Sequence, residues 1–454
     1  MKKTKVLATL GPACQTRTMV RSLVAAGVDG FRINTAHGDF EQYRSWLSLL
    51  RADQSSAGLP VVLDIKGPDL RLRTSKVIRI IKGDVFDLGM SSTDVSLDFD
   101  IVKDVAVGQH VLIDNGSLRT KVVKKSSNLR LVALSDGVLR PNAGVNIPGA
   151  RLSIPDLSSK DRRALQFAKV HRVPYVALSF TRSRSDVARV RALLPSWIRV
   201  IAKVENAQGV ENIDEIIDAS DGVMVARGDL GVEIPAERVP IVQKDIIRKC
   251  NRAGKLAITA TQMLESMIER PRPTRAETSD VANAILDGTD VVMLSGETAV
   301  GRFPVDAVKA MRDVAVATEP YCTSAIEKGG EDDFAFEFGK FIHGLSRSDG
   351  ISKIVTLTQG GYTARLISRF RPQDPVIAIT DNEDVCAQLR LLWGILPVFV
   401  PKGLSLMADM SRLSRFCLNK RLVAAKETIL FCAVRSDRGD IKTHIEIHHL
   451  RGSR

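Results

Sequence analysis

Short apolar segments alternate with amphipathic helical segments eight times between residues 4 and 317, and this alternation constrains the fold more than any other feature. Strands that alternate with helices pair in parallel, and eight such units close into a (β/α)8 TIM barrel. The predicted strands occupy residues 4–10, 29–34, 60–66, 174–180, 199–205, 222–229, 255–261 and 290–297. The predicted helices occupy residues 19–27, 41–54, 161–170, 185–194, 212–220, 239–250, 274–288 and 305–317. An active site is then expected at the carboxyl ends of the strands.

Two of these helices carry capping signals at their first residues. Thr274 and Glu277 form the Thr-x-x-Glu pattern of a capping box, and Gly288 marks the end of that helix. Asn212 and Glu215 show the related Asn-x-x-Glu pattern. We therefore expect both helices to begin with side-chain caps.

The alternation is interrupted once, after the third strand. Between Lys66 and Ser158 the segments become short and strand-like. Asp-Asn-Gly at 114–116 and Ser-Asp-Gly at 135–137 are typical of hairpins or turns. The pattern predicts a barrel of residues 1–66 and 156–325 with a small β domain of residues 67–155 inserted as a lid over the strand ends.

The sequence changes character again after Tyr321. A segment typical of a linker and a helix, residues 327–341, precedes a smaller set of alternating strands and helices. Residues 428–435 and 443–450 end the chain as two predicted strands. We predict a separate α/β domain over residues 326–454.

Charged residues stand at the ends of two consecutive predicted strands. Lys203 and Glu205 share one face of the fifth strand because side chains on a strand alternate between faces. Asp229 is predicted to end the sixth strand, beside them in a parallel sheet. Each motif alone is common on protein surfaces and in turns. Together, a lysine and two carboxylates suit a hard cation with an ammonium next to a phosphoryl or enolate oxygen.

Other strand ends carry polar residues as well. Arg32 can bind a phosphate bidentately and shares a face with Asn34. A lone histidine such as His37 is more often structural than catalytic. The remaining polar candidates at or near strand ends are Asp64, Arg71 and Thr261.

Composition excludes several classes of protein. The chain has 454 residues, a net charge of +13 and 44% hydrophobic residues, without an apolar run of membrane-spanning length. Its six cysteines form no Cys-x-x-Cys pair, which favours a reduced cytoplasmic protein without structural zinc. Aromatic residues make up only 5% and the basic residues are mixed with acids, so a nucleic-acid partner is not expected.

Seven stretches of the chain, together with the C-terminal α/β region, resemble the pyruvate kinases. They are residues 31–38 (FRINTAHG), 63–71 (LDIKGPDLR), 144–149 (GVNIPG), 201–210 (IAKVENAQGV), 223–235 (VMVARGDLGVEIP), 251–277 and 280–298. The resemblance implies a barrel, an inserted β-barrel lid and a C-terminal regulatory domain. It also implies phosphoryl transfer from phosphoenolpyruvate to ADP, giving pyruvate and ATP, by a cytoplasmic homotetramer.

The resemblance implies a role for each matching residue. Glu205 and Asp229 match Mg²⁺ (or Mn²⁺) ligands, Lys203 matches the lysine that stabilises the transferring group, and Arg32 binds the substrate phosphate. The amides of Gly228 and Asp229 match the pocket for the substrate carboxylate, and Thr261 matches the threonine beside the enolate carbon. The residues that match nucleotide-phosphate contacts are Asn34, His37 and Arg71.

Four positions depart from the family pattern. Ala36 replaces a serine that binds K⁺, so the implied K⁺ ligands reduce to Asn34, Asp64 and the Ile65 carbonyl. Ile65 itself replaces a threonine, although a backbone carbonyl does not depend on the side chain. Asp69 and Ala143 replace a glutamate and a nucleotide-contacting lysine. We expect K⁺ to bind, but more weakly than is usual in the family.

Two further hypotheses concern regulation and alternative functions. The loop with Thr358, Gly360, Gly361 and Thr363 matches a loop at which regulated pyruvate kinases bind the phosphate of a sugar effector, although a plain glycine turn explains it equally well. A Mg²⁺-dependent lyase or mutase acting on pyruvate enolates is an alternative enzyme, but it needs no nucleotide lid. Nucleic-acid binding through the positive charge is a third, weaker hypothesis.

Overall fold

Eight parallel strands close into a barrel in the computed structural model, which describes residues 2–67, 70–90, 95–155, 157–322, 334–347, 350–400, 410–437 and 440–450. The first strands and helices are β1 (Lys5–Thr9), α1 (Arg17–Ala26), β2 (Gly30–Asn34), α2 (Phe40–Arg51) and β3 (Val61–Ile65). The strands are buried almost throughout, as expected when helices cover a parallel sheet. The predicted (β/α)8 barrel is confirmed.

A β-rich insertion follows β3. Its strands are β4 (Leu72–Arg73), β5 (Ile78–Ile80), β6 (Val85–Leu88), β7 (Ser96–Leu97), β8 (His110–Ile113), β9 (Leu118–Lys125), β10 (Leu129–Ala133), β11 (Gly137–Leu139) and β12 (Val145–Asn146). Five of them form an antiparallel sheet in the order β12-β8-β9-β10-β6, while β11 pairs with β5 and β4 with β7. Asp114, Asn115 and Gly116 all have positive φ and form the predicted turn between β8 and β9. The insertion buries a core of its own, which includes Leu72, Leu88, Val111 and Leu131.

The barrel resumes after the insertion. Its remaining elements are α3 (Ser159–Val170), β13 (Tyr175–Leu178), α4 (Arg184–Ala192), β14 (Arg199–Val204), α5 (Ala207–Glu211), α6 (Ile213–Ala219), β15 (Gly222–Ala226), α7 (Arg227–Glu233), α8 (Val239–Ala253), β16 (Leu256–Ala260), α9 (Arg275–Leu286), β17 (Val291–Leu294), α10 (Gly296–Ala299) and α11 (Pro304–Thr318). The strands pair in the order β1-β17-β16-β15-β14-β13-β3-β2.

Two strand predictions extended three residues beyond the end of the observed strand. The segment 222–229 is a strand only to Ala226, and Asp229 lies in the first turn of α7. The segment 290–297 is a strand only from Val291 to Leu294, and Glu297 lies in α10. Both carboxylates occupy first helical turns, where unpaired backbone N–H groups favour negative charge.

One of the two predicted caps is present. Thr274 accepts a hydrogen bond from the Glu277 amide at 3.2 Å, and Glu277 accepts one from the Thr274 amide at 2.7 Å. The prediction for Asn212 is wrong, because that residue also ends α5 and has φ −97° and ψ 20° instead of the extended backbone of an N-cap. Its side chain donates to the Arg182 carbonyl at 2.8 Å.

A second sheet forms the C-terminal region. Its elements are α12 (Phe334–Ser346), β18 (Ile351–Leu357), α13 (Tyr362–Ser368), β19 (Val376–Thr380), α14 (Glu383–Leu389), β20 (Ile395–Phe399), α15 (Met410–Asn419), β21 (Thr428–Asp437) and β22 (Asp440–His449). The strand order is β20-β19-β18-β21-β22, with only β22 antiparallel to its neighbour. Helix α15 was not predicted.

The barrel and the C-terminal sheet share one hydrophobic core. Leu7, Ile201 and Met224 of the barrel belong to the same buried cluster as Ile354 and Leu430 of the sheet. Polar contacts join the two parts as well. Arg371 forms an ion pair with Asp290 at 2.6 Å, the Tyr175 hydroxyl donates to the Gln388 carbonyl at 2.8 Å, and Lys5 Nζ donates to the Ile395 carbonyl at 2.8 Å.

Candidate active site

Four charged side chains meet at the carboxyl ends of β2, β3 and β14. Arg32 Nε lies 2.7 Å from Asp64 Oδ2, Asp64 Oδ1 lies 3.2 Å from Lys203 Nζ, and Lys203 Nζ lies 2.9 Å from Glu205 Oε1. All four residues are at most 8% exposed. The result is a buried row in which cations and anions alternate, and we call these four residues the ion-pair row.

Burial and mutual attraction set the ionisation of this row. Burial raises the pKa of Glu205; Lys203 opposes that change and the nearby Asp229 adds to it. Burial alone would lower the pKa of Lys203, but Asp64 and Glu205 outweigh it and raise the pKa. Burial would likewise raise the pKa of Asp64, yet Lys203 and Arg32 lower it. Lys203 therefore stays protonated and positively charged. Glu205 is ionised more readily if a further positive charge lies beside it.

Two residues at the end of β13 support the row and were not predicted. Lys203 Nζ donates to Ser179 Oγ at 2.7 Å, and Ser179 Oγ donates to the Ile65 carbonyl at 2.8 Å. The Phe180 amide donates to Glu205 Oε2 at 2.6 Å, and Phe180 has a positive φ of 51°. A polar residue closing the apolar segment 174–180 was the available signal for Ser179.

Asp229 borders a cleft between the barrel and the insertion. The cleft has a volume of about 240 Å³, and its lining includes Asp229, Arg71, Asn146, Arg182 and Glu233. Asn146 Nδ2 of the insertion donates to Glu233 Oε1 of α7 at 2.9 Å. The cleft therefore opens next to one of the two predicted metal ligands.

Thr261 lies just after β16 in an unusual backbone conformation. Thr261 and Gln262 have φ values of 66° and 53°, and a non-glycine residue in this region costs about 1–2 kcal/mol. The Thr261 hydroxyl accepts from the Gly228 amide at 2.7 Å and donates to the Ala260 carbonyl at 2.6 Å. Thr261 is thus joined to the first turn of α7, and the Gly228 amide assigned to the substrate carboxylate already has a partner.

The predicted nucleotide residues lie on two separate segments. Asn34 ends β2, and its Oδ1 accepts from the Ala36 amide at 3.1 Å. His37 is exposed in the following loop, where its carbonyl accepts from the Tyr43 hydroxyl. Arg71 lies at the start of the insertion, and its Nη1 donates to the Asn142 carbonyl at 2.9 Å. The candidate nucleotide residues are therefore divided between the insertion and the loop after β2.

The oxygens predicted to bind K⁺ all have internal partners. Asp64 is held by Arg32 and Lys203, and the Ile65 carbonyl accepts from Ser179. Asn34 is bonded to the amide of Ala36. Asp69, which stands where the family pattern has a glutamate, lies outside the described residues.

The predicted effector loop offers fewer groups than the sequence indicated. Thr358 and Thr363 are 5% and 1% exposed, so their side chains face the interior. Gly361, the residue directly before α13, has a φ of 79°. Of the four predicted residues, only the two glycines therefore offer backbone groups to a ligand at this loop.

The donors around the ion-pair row fit a hard divalent cation. In the part of the chain that the structure describes, no cluster of three or more histidine, cysteine, aspartate or glutamate side chains has metal-binding geometry. Glu205 and Asp229 provide two carboxylates, and burial together with repulsion from Asp229 raises the pKa of Glu205. Mg²⁺ is usually held by one or two carboxylates, substrate oxygens and water, so two protein carboxylates suffice.

No helix within the described ranges is long and apolar enough to cross a membrane.

The barrel, the ion-pair row at its strand ends and the adjoining cleft are typical of a phosphoryl-transfer enzyme that uses a divalent metal. Comparison with known proteins is specific. Residues 1–308 match the family model of the pyruvate kinase barrel domain, and residues 343–443 match that of the pyruvate kinase alpha/beta domain. The chain belongs to the pyruvate kinase family.

Individual relatives agree with this assignment. The chain is 41% identical over 416 residues to a pyruvate kinase of Geobacillus stearothermophilus, which covers 87% of the chain and 71% of the relative. It is 40% identical over 450 residues to a pyruvate kinase of Staphylococcus haemolyticus, and this match covers 94% of the chain and 75% of the relative. A pyruvate kinase structure from Cryptosporidium parvum superposes with a TM-score of 0.91 at 32% identity, over 99% and 96% of the two chains. The reaction is the family's: phosphoenolpyruvate and ADP give pyruvate and ATP with a divalent metal, the last step of glycolysis.

Proposed function

We propose that the ion-pair row and the first turn of α7 carry out this transfer, with Glu205 and Asp229 as the Mg²⁺ or Mn²⁺ ligands. The observation that carries the proposal is the buried row Arg32–Asp64–Lys203–Glu205, whose firmly charged lysine lies 2.9 Å from a predicted metal ligand. When bound, the metal supplies positive charge to the phosphoryl and enolate oxygens. Arg32 binds the substrate phosphate bidentately, and Lys203 stabilises charge on the transferring group.

Thr261 and the Gly228 and Asp229 amides complete the proposed substrate site. The hydrogen bond between Thr261 and the Gly228 amide supports a common location for them. A substrate carboxylate would take over the Gly228 amide and release the Thr261 hydroxyl. That hydroxyl then lies near the enolate carbon and helps to deliver a proton to C3.

For the nucleotide we propose Asn34, His37 and Arg71, with residues 67–155 acting as a lid. The lid's own core and the Asn146–Glu233 hydrogen bond across the cleft support this role. The proposed domain limits remain residues 1–66 and 156–325 for the barrel and 326–454 for the C-terminal domain. We also propose a homotetramer, which light scattering of the purified protein would test.

K⁺ binding and effector control complete the proposal. Asn34, Asp64 and the Ile65 carbonyl remain available as K⁺ ligands if the ion replaces internal hydrogen bonds. An effector phosphate would bind the Gly360 and Gly361 amides. A panel of phosphorylated metabolites tests this: a shift of the phosphoenolpyruvate saturation curve supports it, and indifference to all of them excludes it.

The central experiment is an assay of ATP formed from phosphoenolpyruvate and ADP. Purified protein should produce ATP only with Mg²⁺ or Mn²⁺ present, and chelation should stop it. A folded protein that forms no ATP under these conditions would contradict the proposed roles as a set.

A further inference from the structure

The guanidinium of Arg227 hydrogen-bonds to the strained backbone at Thr261 and Gln262. Thr261 and Gln262 both have positive φ, and neither is a glycine. Arg227 Nη2 donates to the Thr261 carbonyl at 2.9 Å and to the Gln262 carbonyl at 2.9 Å, while Nε donates to the Thr261 carbonyl at 3.2 Å. Backbone in this region persists only where its surroundings fix it, and here three bonds from one side chain do so.

Arg227 is itself fixed on its outer side. Its Nη2 lies 2.7 Å from Asp280 Oδ2, and its Nη1 donates to Gln243 Oε1 at 3.3 Å. The arginine is only 8% exposed. Because carbonyls and these outer partners occupy the guanidinium, any effect of Arg227 on the reaction would be transmitted through the backbone.

The loop after Thr261 has a second, independent anchor. Glu297 of α10 accepts hydrogen bonds from the Leu264 amide at 3.1 Å and from the Ser295 amide at 2.8 Å. Arg227 therefore holds the carbonyl side of the first loop residues, while Glu297 holds an amide further along. Loss of Arg227 should loosen residues 261 and 262 without releasing the whole loop.

Arg227 also links this loop to the metal side of the site. It is the first residue of α7, and Gly228 and Asp229 follow it directly. The Gly228 amide donates to Thr261 Oγ1 at 2.7 Å. The same short segment therefore carries a proposed metal ligand, an amide that contacts the threonine, and the side chain that fixes the threonine's backbone.

We propose that Arg227 is a positioning residue that sets the Thr261 hydroxyl for the protonation of the enolate. This inference rests on the role given to Thr261 in the proposed function. In that step C3 of the enolate takes a proton derived from water, the C2–C3 double bond becomes a single bond, and C2 becomes the pyruvate carbonyl. A small displacement of the hydroxyl slows the step, since misplacement by about 1 Å costs on the order of 10² in rate.

The test variant is Arg227→Lys, which keeps the charge next to Asp280 but cannot span two carbonyls. We expect turnover to fall roughly 10- to 100-fold, with the KM for phosphoenolpyruvate and the Mg²⁺ titration within about threefold of wild type. Exchange of the pyruvate methyl protons with D₂O, followed by NMR with Mg²⁺ and inorganic phosphate, should fall by the same factor. Exchange at the wild-type rate would overturn the proposal.

Arg191→Lys is the matched control. Arg191 also joins a carboxylate to a carbonyl, with Nη2 2.6 Å from Asp221 Oδ2 and 3.3 Å from the Ala219 oxygen, but Asp221 precedes β15 at the opposite end of the barrel. Its turnover and exchange should match wild type. An equal loss in both lysine variants would show a general effect of removing a guanidinium and would overturn the proposal.

Two more variants keep the result decisive. Asp280→Asn removes only the charged outer partner of Arg227, so exchange should fall about threefold with an unchanged Mg²⁺ titration. If Arg227→Lys does not fold, wild-type exchange in Asp280→Asn rejects the inference. Thr261→Ala tests the role in enolate protonation that the proposed function gives to Thr261. Full exchange in Thr261→Ala removes Thr261 from the proposed function, whereas slow exchange there together with normal exchange in Arg227→Lys rejects only the role of Arg227.

Discussion

At the scale of single residues, we propose Lys203 as the cation on which phosphoryl transfer depends. It is 7% exposed and contacts both Asp64 and Glu205. We expect Lys203→Met to lower turnover by a factor on the order of 10³, because loss of one preorganised charge at a phosphoryl site has effects of that size. Steady-state assays with phosphoenolpyruvate and ADP measure this. A variant that keeps a tenth of wild-type turnover would remove Lys203 from the mechanism.

Removing the lysine should also disturb the fold somewhat. Asp64 and Glu205 then lose a shared cation in a buried setting, which is unfavourable for both carboxylates. Circular dichroism and thermal melts must therefore accompany the assay. Arg191→Lys serves again as a folded reference whose activity should be unchanged.

Glu205 and Asp229 carry the second prediction at this scale. Glu205→Gln and Asp229→Asn keep the shape of each side chain and remove one anionic ligand. Each should raise the Mg²⁺ concentration for half-maximal activity at least tenfold, which a Mg²⁺ titration measures. Glu233→Gln, which changes a carboxylate of the same helix that is hydrogen-bonded to Asn146, is the control and should shift the titration far less. Unmoved curves in both ligand variants would disprove the metal site.

Much of this site was predictable from the sequence. Alternation along β14 correctly put Lys203 and Glu205 on one face, and position at strand ends correctly grouped them with Arg32 and Asp64. The start of α7 was missed because GVMVARGD reads as one continuous strand. The partners Ser179 and Arg227 were missed for a different reason: their roles depend on contacts between residues 24 and 35 positions apart.

At the scale of elements, we expect the loop after β2 to determine the affinity for K⁺. Ala36 offers no side-chain oxygen, while Asn34 and Asp64 lie on adjacent paired strands. Water can fill the place of one missing neutral ligand, so affinity should suffer more than chemistry. We expect activity without K⁺ to be reduced but measurable, and Ala36→Ser to lower the K⁺ concentration for half-maximal activation.

A titration of activity with KCl at constant ionic strength tests this. Tetramethylammonium chloride replaces KCl in the reference series because that ion is too large for such a site. Equal activity in the two salts would mean that the site is absent, and an unchanged K⁺ requirement in Ala36→Ser would mean that position 36 is not a ligand position.

Secondary structure was predictable where periodicity and caps agreed. The eight barrel strands and the Thr274 cap follow from local sequence. The cap at Asn212 failed because a short helix, α5, ends at that residue and changes its backbone. Helix α15 was not predicted, although Asp409, a residue type favoured at N-caps, directly precedes Met410 in the sequence.

At the scale of the whole molecule, Lys5 lies buried where the barrel meets the C-terminal sheet. Burial lowers its pKa from the usual 10.5 to about 8. Between pH 8 and 10.5 the unfolded chain therefore binds a proton that the folded chain does not, and stability rises with pH. Below pH 8 Lys5 is protonated in both the folded and the unfolded chain, and the destabilisation caused by its burial is at its full size. From pH 7 to 9.5 the free energy of unfolding should increase by about 2 kcal/mol from this residue.

Urea unfolding of wild type and Lys5→Met at several pH values measures the effect. The variant should lose most of the rise between pH 7 and 9.5. Lys309→Met is the control, because Lys309 is an exposed lysine of α11 that pairs with Asp306 at 3.6 Å. Parallel curves for wild type and Lys5→Met would show that Lys5 does not titrate in this range.

The shared core between barrel and C-terminal sheet limits how chains of this kind can recombine. Leu7, Met224, Ile354 and Leu430 belong to one packed cluster, so a foreign C-terminal region would meet a barrel floor shaped for another partner. The insertion has its own core, and Asn146 hydrogen-bonds from it to Glu233 of the barrel. In chimeras of two relatives, the insertion is therefore the module that can be exchanged alone, whereas the C-terminal sheet must be inherited together with the residues that line the barrel floor.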